Sequence, residues 1–313
     1  MILTVTANAA LDITYDVPHL QRHASHRVGR VRQRAGGKGV NVASVLAALG
    51  HEVLATGLAG GGVGGELRAD LDVRGIPHDF VEVAGASRRT VNVVSVDEGD
   101  ATIFNEPGPE IAPAEWRRLL ARLEELLAEH EVSVLVASGS LPPGVPVDGY
   151  AQVVRAGRRA GVRTILDAEG EPLLAALAAG PDVVKPNRHE LRAATGAEVL
   201  LAGAAALQRN GARDVVVSDG PRGLLLVPTT GPVLRGRLGE ALGGNPTGAG
   251  DALVAGLAAG LSDDDGWHGI LARGVAWSAA AVLQPLAGQV DPGDLDRLSR
   301  LVRIEETHGA GTA

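Results

Sequence analysis

The residues best suited to chemistry lie at the end of a glycine-rich stretch that covers residues 243–251. Glycine and proline interrupt this stretch, and the apolar spacing of the residues after it predicts a helix. Gly248, Ala249 and Gly250 would form the N-terminus of that helix, where unpaired N–H groups and the helix dipole favour an anion. Asp251 follows at once, so its carboxylate could accept a proton from a hydroxyl group that attacks a phosphorus atom held there.

These residues also fit an ordinary glycine-rich turn followed by a first-turn acid, since one glycine motif is weak evidence. A second glycine-rich loop, Gly36-Gly37-Lys38-Gly39, precedes a predicted helix over residues 40–49. It is not a Walker phosphate loop, because Lys38 is followed by glycine rather than by serine or threonine. The chain has only two lysines, Lys38 and Lys185, and each stands beside a glycine or proline motif. This placement favours a functional role for both.

A competing signal is the set Gly60, Gly62 and Gly65, which fits the dinucleotide-binding pattern after a strand and before a helix. Glu82 could then bind the ribose, and a nicotinamide-dependent oxidoreductase is an alternative. The loop is not in the first strand–helix unit, however. Glycine makes up 43 of the 313 residues, so chance matches to this pattern are expected.

Composition limits the partners that the protein could bind. A net charge of −8 argues against nucleic acid, because neutralising its phosphates requires a basic surface. The absence of cysteine excludes disulfides, zinc–thiolate sites and thiol catalysis. No apolar run reaches about 18 residues, so no membrane span is expected. The first residues are typical of a strand rather than of a signal peptide. We therefore expect a cytoplasmic protein with small-molecule substrates.

Two stretches, residues 12–34 and 88–106, are each predicted to form strands without an intervening helix, and a hairpin turn is predicted over Asp97 to Asp100. This pattern indicates a small separate sheet that could cover a cleft. From Pro113 onward, strands and helices alternate. Alternation of this kind predicts an α/β fold with a mainly parallel central sheet and helices on both faces.

The predicted helices near the C-terminus cover residues 263–283 and 295–304, and a frayed tail is expected from Glu306. Polar motifs follow the ends of successive strands. They are Asn8 with Asp12, Ser138-Gly139-Ser140, Asp167, Asn187 with Glu190, Ser218 with Gly220, and Asp251. Because ligands bind at the carboxyl edge of parallel sheets, a ring of such motifs indicates a site rather than isolated loop residues.

Four motifs follow one another along the chain: Gly36-Gly37-Lys38-Gly39-Val40-Asn41, Ser138-Gly139-Ser140-Leu141-Pro142, Lys185-Pro186-Asn187-Arg188-His189-Glu190-Leu191 and Thr247-Gly248-Ala249-Gly250-Asp251. Together they resemble the ribokinase-like (PfkB) carbohydrate kinases, in family order and over essentially the whole chain. The first motif, with Asn105-Glu106-Pro107-Gly108, is similar to the 1-phosphofructokinase and tagatose-6-phosphate kinase branch. The resemblance implies one three-layer α/β/α kinase domain over residues 1–313, with a β lid formed by residues 12–34 and 88–106.

The resemblance also implies roles for individual residues. Asp251 would be the catalytic base, and residues 248–250 would form an anion hole for the transferred phosphoryl group. Asn187 and Glu190 would position Mg²⁺ through water, although their spacing at a helix start also fits a helix cap. The implied ATP site consists of Lys185, Asn187, Ser218, Gly220, Gly223, Thr247, Gly248 and Gly250.

For the acceptor, the implied site consists of Asp12, Gly36, Gly37, Lys38, Asn41, Arg88, Arg89, Asn105 and Ser140. We expect Lys38, with Arg88 or Arg89, to bind the phosphate that the substrate already carries, since such a group needs fixed cations. The lid of this family often also forms a dimer contact, which implies a homodimer.

Three residues depart from the family pattern and bear on the choice of sugar. Thr90 stands where the family commonly has asparagine, and Glu169 replaces the usual serine after the strand that ends at Asp167. Ile103 occupies the position of an arginine in the 6-phosphofructokinase relatives, which argues against fructose 6-phosphate. The chemistry of phosphoryl transfer does not depend on these three positions.

The resemblance thus implies an ATP- and Mg²⁺-dependent kinase whose acceptor is a ketohexose phosphate, with fructose 1-phosphate first among the candidates. Tagatose 6-phosphate, an unphosphorylated sugar or a nucleoside is an alternative acceptor. The oxidoreductase and a non-catalytic sugar-phosphate sensor are alternatives of a different class. Retention of Asp251 argues against the sensor.

Overall fold

A ten-stranded sheet forms the centre of the molecule, and a four-stranded sheet lies beside it. The structure is a computed structural model that describes residues 1–98 and 100–307. The strands are β1 (Ile2–Thr6), β2 (Ala10–Val17), β3 (Arg30–Gly36), β4 (Val53–Gly60), β5 (His78–Val83), β6 (Arg88–Ser95), β7 (Asp100–Asn105), β8 (Val134–Ser138), β9 (Arg163–Asp167), β10 (Val183–Val184), β11 (Asp214–Ser218), β12 (Leu224–Val227), β13 (Val233–Leu238) and β14 (Val302–Thr307). The helices are α1 (Lys38–Ala48), α2 (Gly61–Val73), α3 (Pro113–Glu129), α4 (Gly149–Arg159), α5 (Gly170–Leu177), α6 (Arg188–Thr195), α7 (Leu200–Arg209), α8 (Ala249–Ser262), α9 (Trp267–Val282) and α10 (Pro292–Ser299).

The central sheet has the strand order β14-β13-β12-β11-β10-β9-β8-β1-β4-β5. All neighbours from β11 to β5 pair in parallel, whereas β12, β13 and β14 pair antiparallel at one edge. The prediction of a mainly parallel sheet is confirmed. The carboxyl ends of seven parallel strands therefore meet at one edge, where α/β folds bind their ligands.

Successive residues of the central strands point into two separate apolar cores. In β1, Ile2 packs in one core and Leu3 in the other, and both are buried. The first core contains the apolar faces of α1, α2, α8 and α9. The second contains those of α3, α4, α5 and α7. Because a strand buried on both faces needs apolar side chains in both directions, this alternation explains the near-continuous apolar strands and confirms the three-layer α/β/α arrangement.

The four-stranded sheet, here called the small sheet, has the order β3-β2-β6-β7. The predicted separate sheet is confirmed, but its limits differ: β3 runs from Arg30 to Gly36, so residues 22–29 are not part of a strand. Strands β6 and β7 pair antiparallel as the predicted hairpin. Gly99, in the predicted turn of that hairpin, lies outside the described residues.

The C-terminal prediction is wrong in its second half. The helix α10 ends at Ser299, and the residues predicted to be helical up to 304 enter strand β14. Val302 and Ile304 alternate with charged residues, which is a strand pattern, and β14 pairs with β13 along its whole length. Glu306 and Thr307, predicted to fray, take part in that pairing, whereas residues 308–313 lie outside the described part.

Other boundaries differ less. The helix predicted over residues 263–283 begins only at Trp267, after a turn, and strands β5 and β13 were not predicted. Within residues 1–98 and 100–307, the helices all fall short of the length and apolarity that crossing a bilayer requires.

Candidate active site

The glycine-rich turn before α8 places a carboxylate at the base of a cleft. Gly248 has φ +84°, and a Cβ atom there would lie 2.7 Å from the Cα of Ala287, so the position requires glycine. Asp251 lies in the first turn of α8 and is 7% exposed. Asn41 of α1 donates a hydrogen bond from Nδ2 to Asp251 Oδ2 at 2.8 Å. Two helix N-termini, from segments distant in sequence, therefore fix this carboxylate.

The surroundings of Asp251 make it a weaker acid than usual. Burial, and then the negative charge of Asp167, raise the pKa of Asp251 to about 7. The positive charges of Lys38 and Lys185 and the hydrogen bond from Asn41 oppose this rise without cancelling it. A carboxylate whose pKa lies close to neutrality is well matched to general base catalysis, since it can take up and release a proton at physiological pH.

Both lysines of the chain contact a single buried carboxylate. Asp167, at the end of β9, is 1% exposed. Its Oδ1 atom lies 3.2 Å from Lys185 Nζ and 3.4 Å from Lys38 Nζ. Although burial opposes ionisation, the two ammonium groups hold the pKa of Asp167 below its usual range. Lys38 Nζ also lies 3.8 Å from Glu190 Oε1. The sequence identified Asp167 only as a strand-end acid and did not predict these contacts.

At the other end of the cleft, the small sheet contributes Asp12. Burial raises the pKa of Asp12 to about 6, against the hydrogen bond to Thr90 and the positive charges of Arg88 and Arg34. A Cβ atom on Gly36 would lie 2.0 Å from Asp12 Oδ2, so only glycine leaves room for this carboxylate. A partly buried carboxylate that lines the cleft suits hydrogen bonding to the hydroxyl groups of a bound molecule.

Arg88 and Arg89 point in different directions, as neighbours in a strand do. Arg88 donates from Nε to the backbone oxygen of Asn8 at 3.1 Å and faces the cleft. The backbone N–H of Arg89 donates to Glu106 Oε2 at 2.7 Å, and this residue is not among those that line the cleft.

The cleft between the small sheet and the central sheet encloses about 810 Å³. This is the size of a pocket that accommodates substrate-sized molecules. It contains one part of the predicted site: Asp12, Gly37, Lys38, Asn41, Arg88, Asn105, Ser140, Thr247, Gly248 and Asp251. Glu106 and Glu169 also line it and were not predicted as site residues. The remaining predicted residues, which do not line this cleft, are Gly36, Arg89, Lys185, Asn187, Glu190, Ser218, Gly220, Gly223, Ala249 and Gly250.

Asn187 and Glu190 form a reciprocal helix cap at the start of α6. Asn187 Oδ1 accepts from the Glu190 N–H at 2.9 Å, and Glu190 Oε2 accepts from the Asn187 N–H at 2.7 Å. The helix-cap interpretation is therefore correct, and Glu190 Oε1 still faces Lys38. Within the described residues, no three His, Cys, Asp or Glu side chains are grouped as a direct metal centre would need. Glu190 Oε1 takes no part in the cap and lies 3.8 Å from Lys38 Nζ, so it suits an ion held through water rather than one bound directly.

Three residues predicted for the nucleotide site, Ser218, Gly220 and Gly223, follow α6 in the chain. Ser218 forms an isolated parallel bridge with Asn187, which brings the end of β11 to the start of α6. Gly220 and Gly223 have φ values of +56° and +90° in the turn that follows. A Cβ atom on Gly223 would lie 2.1 Å from the oxygen of Gly236, whereas one on Gly220 would meet no atom within 4 Å. Gly223 thus has a packing role, and Gly220 leaves open space.

Comparison with known proteins identifies the family. Residues 5–292 match the pfkB family of carbohydrate kinases. The chain belongs to this family. It is therefore a phosphotransferase that acts on a carbohydrate, and the nicotinamide-dependent alternative is wrong. Gly60, Gly62 and Gly65 serve instead to end β4 and begin α2.

The relatives of this kinase include enzymes of the expected branch. A 1-phosphofructokinase from Xanthomonas campestris pv. campestris is 42% identical over 271 residues, which cover 84% of each chain. A tagatose-6-phosphate kinase from Staphylococcus epidermidis is 30% identical, covering 98% of this chain and 100% of that one. The crystal structure of phosphofructokinase-2 from Escherichia coli in complex with potassium is 31% identical, with a TM-score of 0.88 over 96% of this chain and 98% of that one. The ribokinase-like fold is confirmed.

The three departures from the family pattern all lie at or next to the cleft of this kinase. Thr90 is the β6 partner of Asp12 in β2, accepts a hydrogen bond from Arg88 and lines the cleft. Ile103 lines the cleft as an apolar side chain, 44% exposed. Glu169 immediately precedes α5, where its side chain makes no capping hydrogen bond, and it adds a negative charge to the cleft.

Proposed function

We propose that this kinase transfers the γ-phosphoryl group of ATP to the free primary hydroxyl group of fructose 1-phosphate, forming fructose 1,6-bisphosphate and ADP. The relative that is 42% identical and named 1-phosphofructokinase supports this choice of acceptor. Sugar-kinase membership supports ATP as the donor. The single observation that carries the chemistry is Asp251, buried at a helix N-terminus and open to the cleft.

In the proposed mechanism, Asp251 accepts the proton of the attacking hydroxyl group as the new O–P bond forms and the bond to the β–γ bridging oxygen of ATP breaks. The N–H groups of Gly248 and Gly250 stabilise the charge on the transferred group. The N–H of Ala249 donates to the oxygen of Pro246 at 3.2 Å, so its share in the anion hole requires that bond to open.

Lys38 and Arg88 are the proposed cations for the phosphate that the acceptor already carries. Both line the cleft, and among the described residues Arg88 donates to the backbone oxygens of Asn8 and Glu106 and to Thr90 Oγ1 rather than to a carboxylate. An arginine without a carboxylate partner keeps its charge for an incoming anion. Arg89, which the sequence left as an alternative to Arg88, is not assigned this role.

Asn187 and Glu190 are the proposed residues for Mg²⁺, acting through water. The ion would neutralise charge on the ATP phosphates. Lys185 suits the same end of the site, because its Nζ atom would lie 3.7 Å from a Cβ atom on Gly250. Asp12, Asn105 and Ser140 are proposed to bind sugar hydroxyl groups, and Ser218, Gly220 and Gly223 to border the nucleotide.

The small sheet is proposed to act as a lid that excludes water, which would favour transfer to the sugar over hydrolysis of ATP. It contributes Asp12, Arg88 and Asn105 to the cleft, so its position decides whether the acceptor site is complete. We propose that residues 1–313 form one kinase domain that includes this lid. We further propose that the enzyme acts in the cytoplasm, where ATP is the common phosphoryl donor.

The lid is also the proposed dimer contact. Five of the nine exposed large apolar side chains of the described residues lie on it or on its connections: Val28, Val31, Val96, Ile103 and Phe104. Ile103 faces the cleft, so its neighbour Phe104, 57% exposed, points to the opposite face. An apolar face of this kind on a soluble kinase favours an interface.

Tagatose 6-phosphate remains the second candidate acceptor, because the tagatose-6-phosphate kinase of S. epidermidis matches the chain over its full length. The deciding experiment is an ADP-release assay with fructose 1-phosphate, fructose 6-phosphate, tagatose 6-phosphate and unphosphorylated fructose. The proposal predicts the highest kcat/KM for fructose 1-phosphate. A higher value for another acceptor would reassign the substrate, and no ADP release above background with any sugar would favour the non-catalytic sensor.

The phosphate-binding proposal has its own test within that assay. Lys38→Ala should raise the KM for fructose 1-phosphate about tenfold or more, as expected for the loss of one charged hydrogen bond. The effect on unphosphorylated fructose should be much smaller. An unchanged KM for the sugar phosphate would remove Lys38 from the phosphate site.

A further inference from the structure

Asp167 connects two parts of the chain that the proposed function assigns to different substrates. Lys38 begins α1 and lines the acceptor cleft, with 35% of its side chain exposed. Lys185 follows β10, is 4% exposed, and lies beside Gly250 of the phosphoryl site. The same carboxylate oxygen, Oδ1 of Asp167, lies within 3.4 Å of both ammonium groups. The two lysines are therefore fixed relative to each other through one atom.

The position of Asp167 is itself well determined. Its Oδ2 atom accepts a hydrogen bond from Ser138 Oγ at 3.2 Å, and its backbone oxygen accepts one from the Gly139 N–H at 2.9 Å. It ends a central strand that pairs with β8 and β10 on its two sides. Lysine has a flexible four-carbon stem, so a fixed carboxylate restricts its ammonium group far more than the stem alone would.

We propose that Asp167 is a positioning residue that holds Lys38 on the acceptor side and Lys185 on the phosphoryl side of Asp251, and so couples the two substrate sites. This inference rests on the proposed function, which assigns the acceptor phosphate to Lys38 and the ATP phosphates to Lys185. Asp167 contacts neither substrate in this account. Its effect on both passes through the lysines.

If the charge of Asp167 holds the two lysines in place, removing that charge should change the pH dependence of the reaction. The groups that shift the pKa of Asp251 are Asp167, which raises it after burial, and Lys38, Lys185 and Asn41, which lower it. Replacing Asp167 by asparagine removes the negative charge and frees both lysines to face Asp251. Both changes lower the pKa of Asp251, so the acid limb of kcat/KM should move to lower pH.

Double-mutant cycles test the coupling. Asp167→Asn should raise the KM values for fructose 1-phosphate and for ATP, each about tenfold or more. In the Asp167→Asn background, Lys38→Met should add little to the KM for fructose 1-phosphate, and Lys185→Met little to the KM for ATP. Asp182→Asn is the matched control: this carboxylate, just before β10, accepts from Thr164 at 2.9 and 3.0 Å, pairs with Arg213 at 3.1 Å and does not line the cleft, so its loss should leave both KM values unchanged.

Loss of Asp167 alone leaves Lys185 buried with one partner fewer, so folding has to be checked by circular dichroism. If the single variant does not fold, the variant that combines Asp167→Asn with Lys185→Met removes both buried charges. In that background, Lys38→Met should still add little to the KM for fructose 1-phosphate.

Three results would overturn the inference. The first is that, in either cycle, the effects of the lysine and Asp167 substitutions on KM multiply as independent effects would. The second is an acid limb that stays in place in Asp167→Asn. The third is an effect confined to the Mg²⁺ concentration that gives half-maximal rate, which would assign Asp167 to the metal. Each of these leaves an active kinase, whereas a wild-type protein without sugar-phosphate kinase activity would instead reject the proposed function.

Discussion

At the residue scale, the site depends on carboxylates whose surroundings differ. Burial raises the pKa of Asp251 to about 7 and that of the partly buried Asp12 to about 6, and the cations near each do not cancel the rise. Asp167 is buried as well but lies against two lysines, which hold its pKa below the usual range. Asp167, beneath the cleft, therefore stays charged at neutral pH, while Asp251, which lines the cleft, can exchange a proton. This difference separates a structural carboxylate from the proposed base.

The raised pKa of Asp251 predicts the pH dependence of the reaction. The base must be ionised, and the raised pKa places that ionisation near pH 7 rather than near 4, so kcat/KM should rise with pH up to about 7 and then level off. Initial rates between pH 5 and 9 measure this. The second ionisation of a substrate phosphate, with a pKa near 6, is controlled for with unphosphorylated fructose as a slow acceptor. A plateau that extends down to pH 5 with both acceptors would contradict the assignment.

Sequence reasoning reached Asp251, Asn41 and Lys38 because each lies in a short motif at a helix start. The sequence did not predict the contacts of Asp167 with Lys38 and Lys185. These three residues are far apart in the chain, and only the order of strands in the sheet brings them together. The choice between Arg88 and Arg89 likewise depends on which face of β6 meets the cleft, and strand register decides this.

At the element scale, the start of α6 combines a helix cap with a proposed metal site. The two roles use different oxygens of Glu190: Oε2 accepts from the Asn187 N–H, and Oε1 lies 3.8 Å from Lys38 Nζ. The sequence predicted both roles as alternatives, and the geometry allows both at once.

Two substitutions separate these roles. Glu190→Gln keeps the capping hydrogen bond, since glutamine also completes a capping box, but removes the charge. It should leave the free energy of unfolding nearly unchanged and raise the Mg²⁺ concentration needed for half-maximal rate. Asn187→Ala should cost about 1 kcal/mol of stability, because it removes the cap. Urea unfolding and Mg²⁺ titration of the rate measure the two effects. An unchanged Mg²⁺ requirement in Glu190→Gln would remove Glu190 from the metal site.

The main error at this scale, the helix predicted up to residue 304, also has a physical cause. Leu295, Leu298 and Val302 have helical spacing, but Val302 and Ile304 also alternate with charged residues, so the sequence fits both periods. The open edge of β13 decides between them, because β14 satisfies its backbone groups. The edge of a sheet cannot be located from the local sequence.

At the scale of the whole molecule, the alternation of strands and helices was enough to predict the three layers and the mainly parallel sheet. The proposed lid dimer goes beyond the single chain and depends on the apolar face that carries Phe104. A stable interface buries about 1,200–2,000 Å² in total, so one charge at its centre should disrupt it.

The dimer prediction is tested with Phe104→Glu. Sedimentation velocity should show a dimer for the wild-type protein and a monomer for this variant. Val199→Glu is the matched control, because Val199 is also an exposed large apolar side chain, at 43%, and immediately precedes α7, which packs against α6, β11 and β12 rather than against the small sheet. Its variant should remain dimeric. A monomeric wild-type protein at micromolar concentration would refute the lid contact.

The turnover of Asp251→Asn tests the central claim most directly, since asparagine keeps the shape and the contact with Asn41 but cannot accept a proton. The account predicts a fall in kcat of about 10²- to 10⁴-fold, with ATP affinity, measured by calorimetry, close to that of the wild-type protein. A variant that keeps near-normal kcat with fructose 1-phosphate would contradict Asp251 as the base and, with it, the proposed mechanism.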